Sequence, residues 1–243
     1  MSDWLDWLDS IKTEFVNNKK SFLRQKNISR TVHPSVGGKN IYSYVKSTND
    51  YLDKLRDPDV GDPIRSIAFE YSLPAVESAY HITKLQEFFK ILPKQLNRVT
   101  DVGGGYGYLC YSFNKLGFKG NYTICDFDVM NSIQNYYLKE TLGKGNYNCV
   151  NLNDDNLHTN EEESLLLGTF SISEMPLSDR KIIEPHYQNY KYIIIIYKDN
   201  ANFGVNNKDY FNGLKESLSK THKMTDYKCP FRKNDYYLLG EKL

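Results

Sequence analysis

Three consecutive glycines between two short apolar runs leave few folds open to this chain. Residues 99–102 are apolar except at Asp101 and Thr100, and they lead straight into Gly103, Gly104 and Gly105, then Tyr106 and Gly107. Leu109, Phe113 and Leu116 then recur at helical spacing until Gly117, and a second apolar run at 122–125 stops at Asp126. Glycines carry no Cβ, so such a loop turns sharply and lets its backbone approach a ligand closely. Strand, glycine turn, helix, strand and acid make half of a nucleotide-binding α/β fold. Asp126 lies 22 residues beyond Gly104, near the spacing of about 20 at which an acid meets a ribose. A carboxylate there can accept from both ribose hydroxyls.

A dinucleotide site needs G-x-G-x-x-G/A, whose third residue must be small so that helix and strand pack closely. Counted from Gly103 that position is Tyr108, far too large; counted from Gly105 it is Cys110, so that frame stays open. The acid ahead of the glycines separates the two cofactors. D-V-G-G-G-Y-G, starting at Asp101, resembles the first motif of class I S-adenosylmethionine-dependent methyltransferases. The resemblance implies S-adenosyl-L-methionine as cofactor. Asp101, Gly103, Gly104, Gly105, Tyr106 and Gly107 would form the loop beside its methionine part, Asp126 would hold the ribose, and Phe127 would lie against the adenine. A glycine turn without a ligand is the plain alternative.

The totals bound the rest. A chain of 243 residues allows one large domain, or a core domain with an appended segment. The division expected is a helical, substrate-binding region at 1–97 and a cofactor-binding domain at 98–243. Lys plus Arg is 31 against 30 for Asp plus Glu, and no block of like charge occurs. That speaks against a nucleic-acid substrate and against a polybasic membrane anchor. The four cysteines, at 110, 125, 149 and 229, show no zinc spacing and read as reduced core residues of a cytoplasmic protein. Trp4, Leu5, Trp7, Leu8, Ile11 and Phe15 form a helical stripe interrupted by Asp3, Asp6 and Asp9. This is no targeting segment; it fits a helix docking on the body of the protein or on a second copy in a homo-oligomer. The longest apolar run, 192–197, is far short of the ~20 residues that span a bilayer, so no membrane insertion is expected.

Residues 21–62 are mixed, with turns at Gly37, Gly38, Asp57-Pro58 and Asp62-Pro63, and 43–55 reads as one helix. Ala79, Ile82, Leu85, Phe88 and Phe89 mark a stronger helix over 78–91, ended by Pro93. These helices form a cap ahead of strands whose carboxyl ends bind the ligand. Downstream the pattern predicts a helix at 131–142 and a third strand at 146–152. Asn153 and Asp154 follow it, where an amide or acid can reach the adenine amino group or simply be solvated. Further elements are a fourth strand within 164–173, a helix at 177–190, a strand at 192–197 and a helix at 208–218. The last two strands, 223–229 and 236–239, are joined by too short a link to be parallel. The expected fold class is therefore α/β: a Rossmann-like class I methyltransferase fold, with a mostly parallel seven-stranded sheet ending in an antiparallel hairpin, and an N-terminal helical cap.

A narrower resemblance follows from three pieces. Y-T-I-C-D-F-D-V-M-N-S-I-Q-N-Y-Y-L from Tyr122 to Leu138, F-S-I-S-E-M from Phe170 to Met175, and D-V-G-D-P from Asp59 to Pro63 look like a family of sugar O-methyltransferases from bacterial polysaccharide gene clusters. One departure is Asp62, where that family's Gly-Asn-Pro turn has Asn. The resemblance implies an S-adenosylmethionine-dependent O-methyltransferase whose partner is a small molecule, a sugar or sugar nucleotide of surface polysaccharide synthesis. By it Phe170 and Ser171 lie beside the cofactor, and Glu174 takes the acceptor proton or orients the hydroxyl. The other reading of Glu174 is an acid favoured by a helix N-terminus. His33, His81, His158, His186 and His222 compete for the base role; His81, on the cap helix, is the best placed of them. His158 with Asp154, Asp155, Glu161, Glu162 and Glu163 lacks tight ligand spacing, so no metal is expected. A methyltransferase of another small molecule, with an oxygen or nitrogen acceptor, is the alternative. Against amide-type N-methylation, S-I-S-E-M-P stands where Asn/Asp-Pro-Pro-Tyr would be. A non-catalytic scaffold with the same fold is the third reading.

Overall fold

Alternation in the central strand shows how the layers are built: Ile194 and Ile196 are buried in one apolar layer, Ile193 and Ile195 in another. Successive side chains of a strand point to opposite faces, so an unbroken apolar run such as residues 192–197 must be covered on both sides. The structure is a computed structural model and describes residues 2–32, 38–159, 162–202 and 204–243. His33, Gly37 and Glu161 lie outside the described residues, as do the side chains of Asp3, Trp4, Leu5 and Asp154.

Five parallel strands form most of the sheet: β1 (Arg98–Val102), β2 (Asn121–Asp126), β3 (Tyr147–Asn151), β4 (Ser164–Thr169) and β5 (Tyr192–Lys198). Two-residue strands β6 (Ala201–Asn202) and β7 (Val205–Asn206) pair separately. The hairpin β8 (His222–Lys228) and β9 (Asp235–Lys242) completes a seven-stranded sheet of order β3-β2-β1-β4-β5-β9-β8, with β9 antiparallel to β5 and β8. The order reverses between β1 and β4, which opens a crevice at their carboxyl ends.

Helices α5 (Leu73–Phe89), α6 (Tyr108–Lys115) and α7 (Asp128–Leu142) cover one face. The other face carries α8 (Asp154–Leu157), α9 (Leu177–Ile183) and α10 (Asn207–Leu218). Ahead of them come α1 (Ser2–Asn17), α2 (Lys26–Val32), α3 (Gly38–Thr48) and α4 (Tyr51–Lys54). One apolar cluster runs without a break from Ile11, Phe22, Ile28 and Ile41 through α5 to Val99, Ile124 and Leu239, so the cap and the α/β body share a core. Phe22 is the joint: fully buried, it meets Phe15, Tyr106 and Tyr136 edge-on, with ring centroids 5.8, 6.1 and 6.2 Å away.

Two expectations change. Residues 43–55 are two helices, because the Asn49 side chain accepts from the Tyr51 N–H at 3.0 Å and offers the backbone a turn in place of a helix bond. The helix expected over 177–190 stops at Ile183 and continues as a 3₁₀ turn, Glu184–Asn189, because Pro185 lacks an N–H. The fourth strand lies within 164–173 as expected and ends at Thr169, since Phe170 takes a positive φ of 70°. The mixed stretch holds order that its composition hides: a 3₁₀ turn at Lys19–Arg24, then α2, whose first N–H groups donate to the Glu14 carboxylate.

Both tryptophans lie in α1. On urea denaturation, tryptophan fluorescence and far-UV circular dichroism should therefore report the cap and the whole chain in one coincident transition. Phe22→Ala should destabilise both by about 3–5 kcal/mol. An earlier fluorescence transition would make the cap an independent unit.

Candidate functional site

The crevice at the strand ends is a cleft of about 890 Å³. Its floor is the glycine loop after β1 and Asp126-Phe127 after β2; one wall is residues 169–176 after β4. The opposite end is closed by Lys198 and the turn at 231–235, and the roof by Trp7, Arg30, Thr31 and Val32 with Pro74, Glu77, Ser78 and His81 of α5.

Gly103 has φ 72°, and a Cβ there would stand 2.3 Å from the Ser171 Cβ. Ser171 comes so near because its hydroxyl donates to the Val102 carbonyl across the end of β1. Phe170 permits the crossing: a bulky residue at positive φ stores about 1–3 kcal/mol of strain, and its N–H is tied to the Ile196 carbonyl at 2.8 Å. Gly105, φ 57°, is different. A Cβ there would meet only Val32 Cγ1, at 3.9 Å, so among the described residues the space above it belongs to the cleft.

Asp126 is half-buried, and burial pushes its pKa up to about 7. Its Oδ1 accepts from the Phe127 N–H at 2.9 Å and its Oδ2 from the Gln134 amide at 2.8 Å. The same Gln134 nitrogen donates to the Gly105 carbonyl at 2.9 Å, fixing the acid against the loop. Each carboxylate oxygen keeps capacity for a further hydrogen bond. Asp101 sits elsewhere: fully buried below Gly104, it accepts from the Tyr122 hydroxyl at 2.9 Å. Burial raises its pKa to about 7 as well.

Glu174 lines the cleft in the 3₁₀ turn Ser171–Glu174 and is accessible from it. Burial raises its pKa above the ordinary carboxylate value, while the Lys198 charge pulls the other way. Behind it, fully buried Arg180 donates from Nε to the Met175 carbonyl at 3.0 Å and from Nη2 to the Ser173 carbonyl at 2.9 Å. Asn207 donates to the Ser173 carbonyl too, at 3.1 Å, so the backbone on both sides of Glu174 is held from below.

His81 Nδ1 lies 2.8 Å from the Tyr237 hydroxyl, and Nε2 faces Glu77 at 3.8 Å. A proton on Nε2, with Tyr237 donating to Nδ1, satisfies both neighbours, and burial drops the ring's pKa to about 3. Arg232 pairs with Glu77 and, at 3.2 Å, with Asp235, so a buried ion cluster forms this end of the cleft.

The cleft thus gathers Gly103, Gly104, Gly105, Tyr106, Asp126, Phe127, Phe170, Ser171, Glu174 and His81. It does not gather Asp101, or Gly107, which starts α6 against Leu138, or Asn153, whose side chain accepts from the Asn156 N–H. Of the other histidines, His222 pins the Tyr190 carbonyl at 2.9 Å and His158 is exposed. Gln134, Arg180 and Glu77 carry no local sequence signal of a role in the cleft; the 231–235 turn is legible in the sequence only as a short link between two antiparallel strands.

Asp101 and Asp126 have raised pKa values in the fold, so the folded state holds their protons more tightly than the unfolded chain does. Their contribution to stability is full below about pH 4 and is lost as pH rises to about 7. Urea denaturation of Asp101→Asn against the parent should show a gap that moves in the variant's favour from pH 4 to pH 8. A gap independent of pH would overturn the buried-acid reading.

No family model matches the chain, and no curated protein matches it. Solved structures do. The methyltransferase domain of bacterial CtHen1-CN is 12% identical over 66% of this chain and 97% of that one, with a TM-score of 0.50. The glycopeptide N-methyltransferase MtfA, complexed with sinefungin, is 8% identical over 67% of this chain and 85% of that one, also at 0.50. The Pnkp1/Rnl/Hen1 RNA repair complex matches at 14% identity and a TM-score of 0.50, over 67% of this chain and 41% of that one. At these identities the likeness is one of fold, and the fold of this chain is the Rossmann-like fold of the class I methyltransferases.

Proposed function

We propose that this chain is an S-adenosylmethionine-dependent O-methyltransferase acting on a sugar or a sugar-derived intermediate of surface polysaccharide synthesis. The observation that carries the reading is one continuous cleft that joins the glycine loop and Asp126 to Glu174. Its volume lies within the range of small-molecule sites, about 300–1,000 Å³. The residues fit the cofactor: open space over Gly105, a fixed Asp126 carboxylate with lone pairs to spare, and the Phe127 ring partly exposed beside it. Asp126 would hold the ribose hydroxyls and Phe127 the adenine. When bound, the cofactor supplies an electrophilic methyl group, so the chain's own task is to orient an acceptor oxygen and remove its proton.

Glu174 suits that task better than His81. A carboxylate of raised pKa on the cleft wall is a stronger base than an ordinary one, whereas the His81 ring nitrogens face Tyr237 and Glu77 and the ring resists protonation. His81 acts instead as a brace between α5 and β9. The acceptor end favours a hydroxylated ligand. Phe231 offers an aromatic face, Glu77, Arg232 and Asp235 offer polar groups fixed by their own pairing, and Asn234 lines the cleft beside them. Together with the F-S-I-S-E-M resemblance, this supports a sugar over an apolar acceptor.

Isothermal titration should show micromolar binding of S-adenosylhomocysteine and none of NAD; the reverse would overturn the cofactor. Asp126→Ala should weaken that binding by about 1.5–3 kcal/mol, and unchanged affinity would remove its ribose role. Glu174→Gln should leave the binding intact while abolishing most turnover. In the parent, turnover should fall as pH drops through the raised Glu174 pKa, and the glutamine variant should lack that acid limb.

A further inference from the structure

At the acceptor end of the cleft Arg232, Lys198 and Lys233 stand with Glu77, Asp235 and Glu174, so the charges are equal in number, but they are not equally tied. Arg232 is taken up by Glu77 and Asp235, and Asp126 sits at the far, cofactor end. Lys198 and Lys233 also line the cleft; both are exposed, and among the described residues neither has an ion-pair partner. They share one corner. Lys198 stands opposite Asp235 in the β5–β9 register, and the Asp199 N–H donates to the Asn234 carbonyl at 3.2 Å, so the end of β5 is stitched to the turn that carries Lys233. The Lys198 ammonium lies 5.6 Å from the centre of the Phe170 ring, on the wall that ends in Glu174. Its charge is felt by Glu174, which places the two groups within electrostatic reach. Asp199, the neighbouring acid in the chain, does not line the cleft. In a chain of formal charge +1, two exposed ammonium groups at one corner, outside any ion pair among the described residues, are a local feature and not background.

We propose that this corner binds a phosphate group of the acceptor, held by Lys198 and Lys233 while a neighbouring hydroxyl faces Glu174. The inference rests on the methyltransferase reading above. Two ammonium groups offer up to six N–H donors, and charge-assisted bonds to phosphate oxygens are the strong kind. The lysines also offset the repulsion between a phosphate and an ionised Glu174, which would otherwise hinder the base. A sugar 1-phosphate and a nucleoside diphosphate sugar present the same chemistry here.

The test is isothermal titration in the presence of saturating S-adenosylhomocysteine, using uridine diphosphate, glucose 1-phosphate and glucose as probes. The proteins are the parent, a Lys198→Gln/Lys233→Gln double variant and a Lys198→Arg/Lys233→Arg double variant that keeps the charge. At least one phosphate probe should bind the parent, weaken with added salt, weaken about tenfold or more in the glutamine variant and bind the arginine variant. Binding of uridine diphosphate alone would support the corner with a nucleoside diphosphate as its ligand; binding of glucose 1-phosphate alone would support it with a sugar phosphate. Unchanged S-adenosylhomocysteine affinity in both variants confirms that they are folded. The proposal is overturned if neither phosphate binds a parent that binds S-adenosylhomocysteine, or if the glutamine variant binds as well as the parent. If the parent fails to bind S-adenosylhomocysteine, the methyltransferase reading falls, and the acceptor role of the corner falls with it.

Discussion

Between Gly103 and Ser171 there is no room for a methyl group, and most of the cleft follows from that closeness. The strand order reverses between β1 and β4, so the segments leaving these strands part and open the crevice. The Ser171 hydroxyl holds the β4 exit back across the end of β1, and Phe170 accepts a left-handed backbone to allow it. The same crossing starts the 3₁₀ turn that ends in Glu174. One steric contact thus fixes the distance between the glycine floor and the wall that carries the candidate base. The first glycine of the run is needed for this protein–protein contact, and the third is the one that faces open space.

Electrostatics inside the cleft are arranged by pairing. The deep charges at the 231–235 end, Glu77 and Asp235, share the single Arg232 guanidinium, which leaves one net negative charge and holds all three as fixed polar groups. Removing one member of such a buried set strands the others, at a cost of about 3–5 kcal/mol. Among the described residues no cation pairs with Asp101 or Asp126; hydrogen bonds from Tyr122, and from Gln134 and the Phe127 N–H, hold them, and burial raises both pKa values. Asp101 therefore acts on the site through β1 and Gly104. Arg180 is a further support: its guanidinium holds two backbone carbonyls and lies 4.7 Å from the centre of the Tyr210 ring. The parts of the site that face a ligand are few, and each is braced by a buried residue that does not.

Much of the α/β body could be read from the chain because its signals are local. Apolar runs of strand length, glycines where the backbone turns left-handed, and the Lys228-to-Asp235 link too short for a parallel crossover all speak within a dozen residues. Expectations failed where a side chain competes with the backbone, as Asn49 does, or where a residue lacks the N–H a helix needs, as Pro185 does. The stretch from Lys19 to Val32 gave no periodic pattern, yet Phe22 is buried there. Short elements have too few turns to show a period, and their burial is decided by distant rings such as Tyr106 and Tyr136.

The sequence by itself determined the order of strands and helices, the glycine loop, Asp126 at the second strand's end and the closing hairpin, because each depends on residues close together in the chain. It also placed Glu174 after the fourth strand. The tertiary structure alone decided that Asp101 lies below the loop, that Gln134 ties Asp126 to Gly105, and that Arg180 and Asn207 brace Glu174. It alone joined Glu77 to Arg232 and set Lys198 opposite Asp235, next to the turn that carries Lys233. The longest of those contacts, Glu77 to Arg232, spans 155 positions and depends on how the sheet folds back on itself; the shortest, Arg180 to Ser173, spans 7 but joins a helix to the turn before it in a way that no repeating pattern marks.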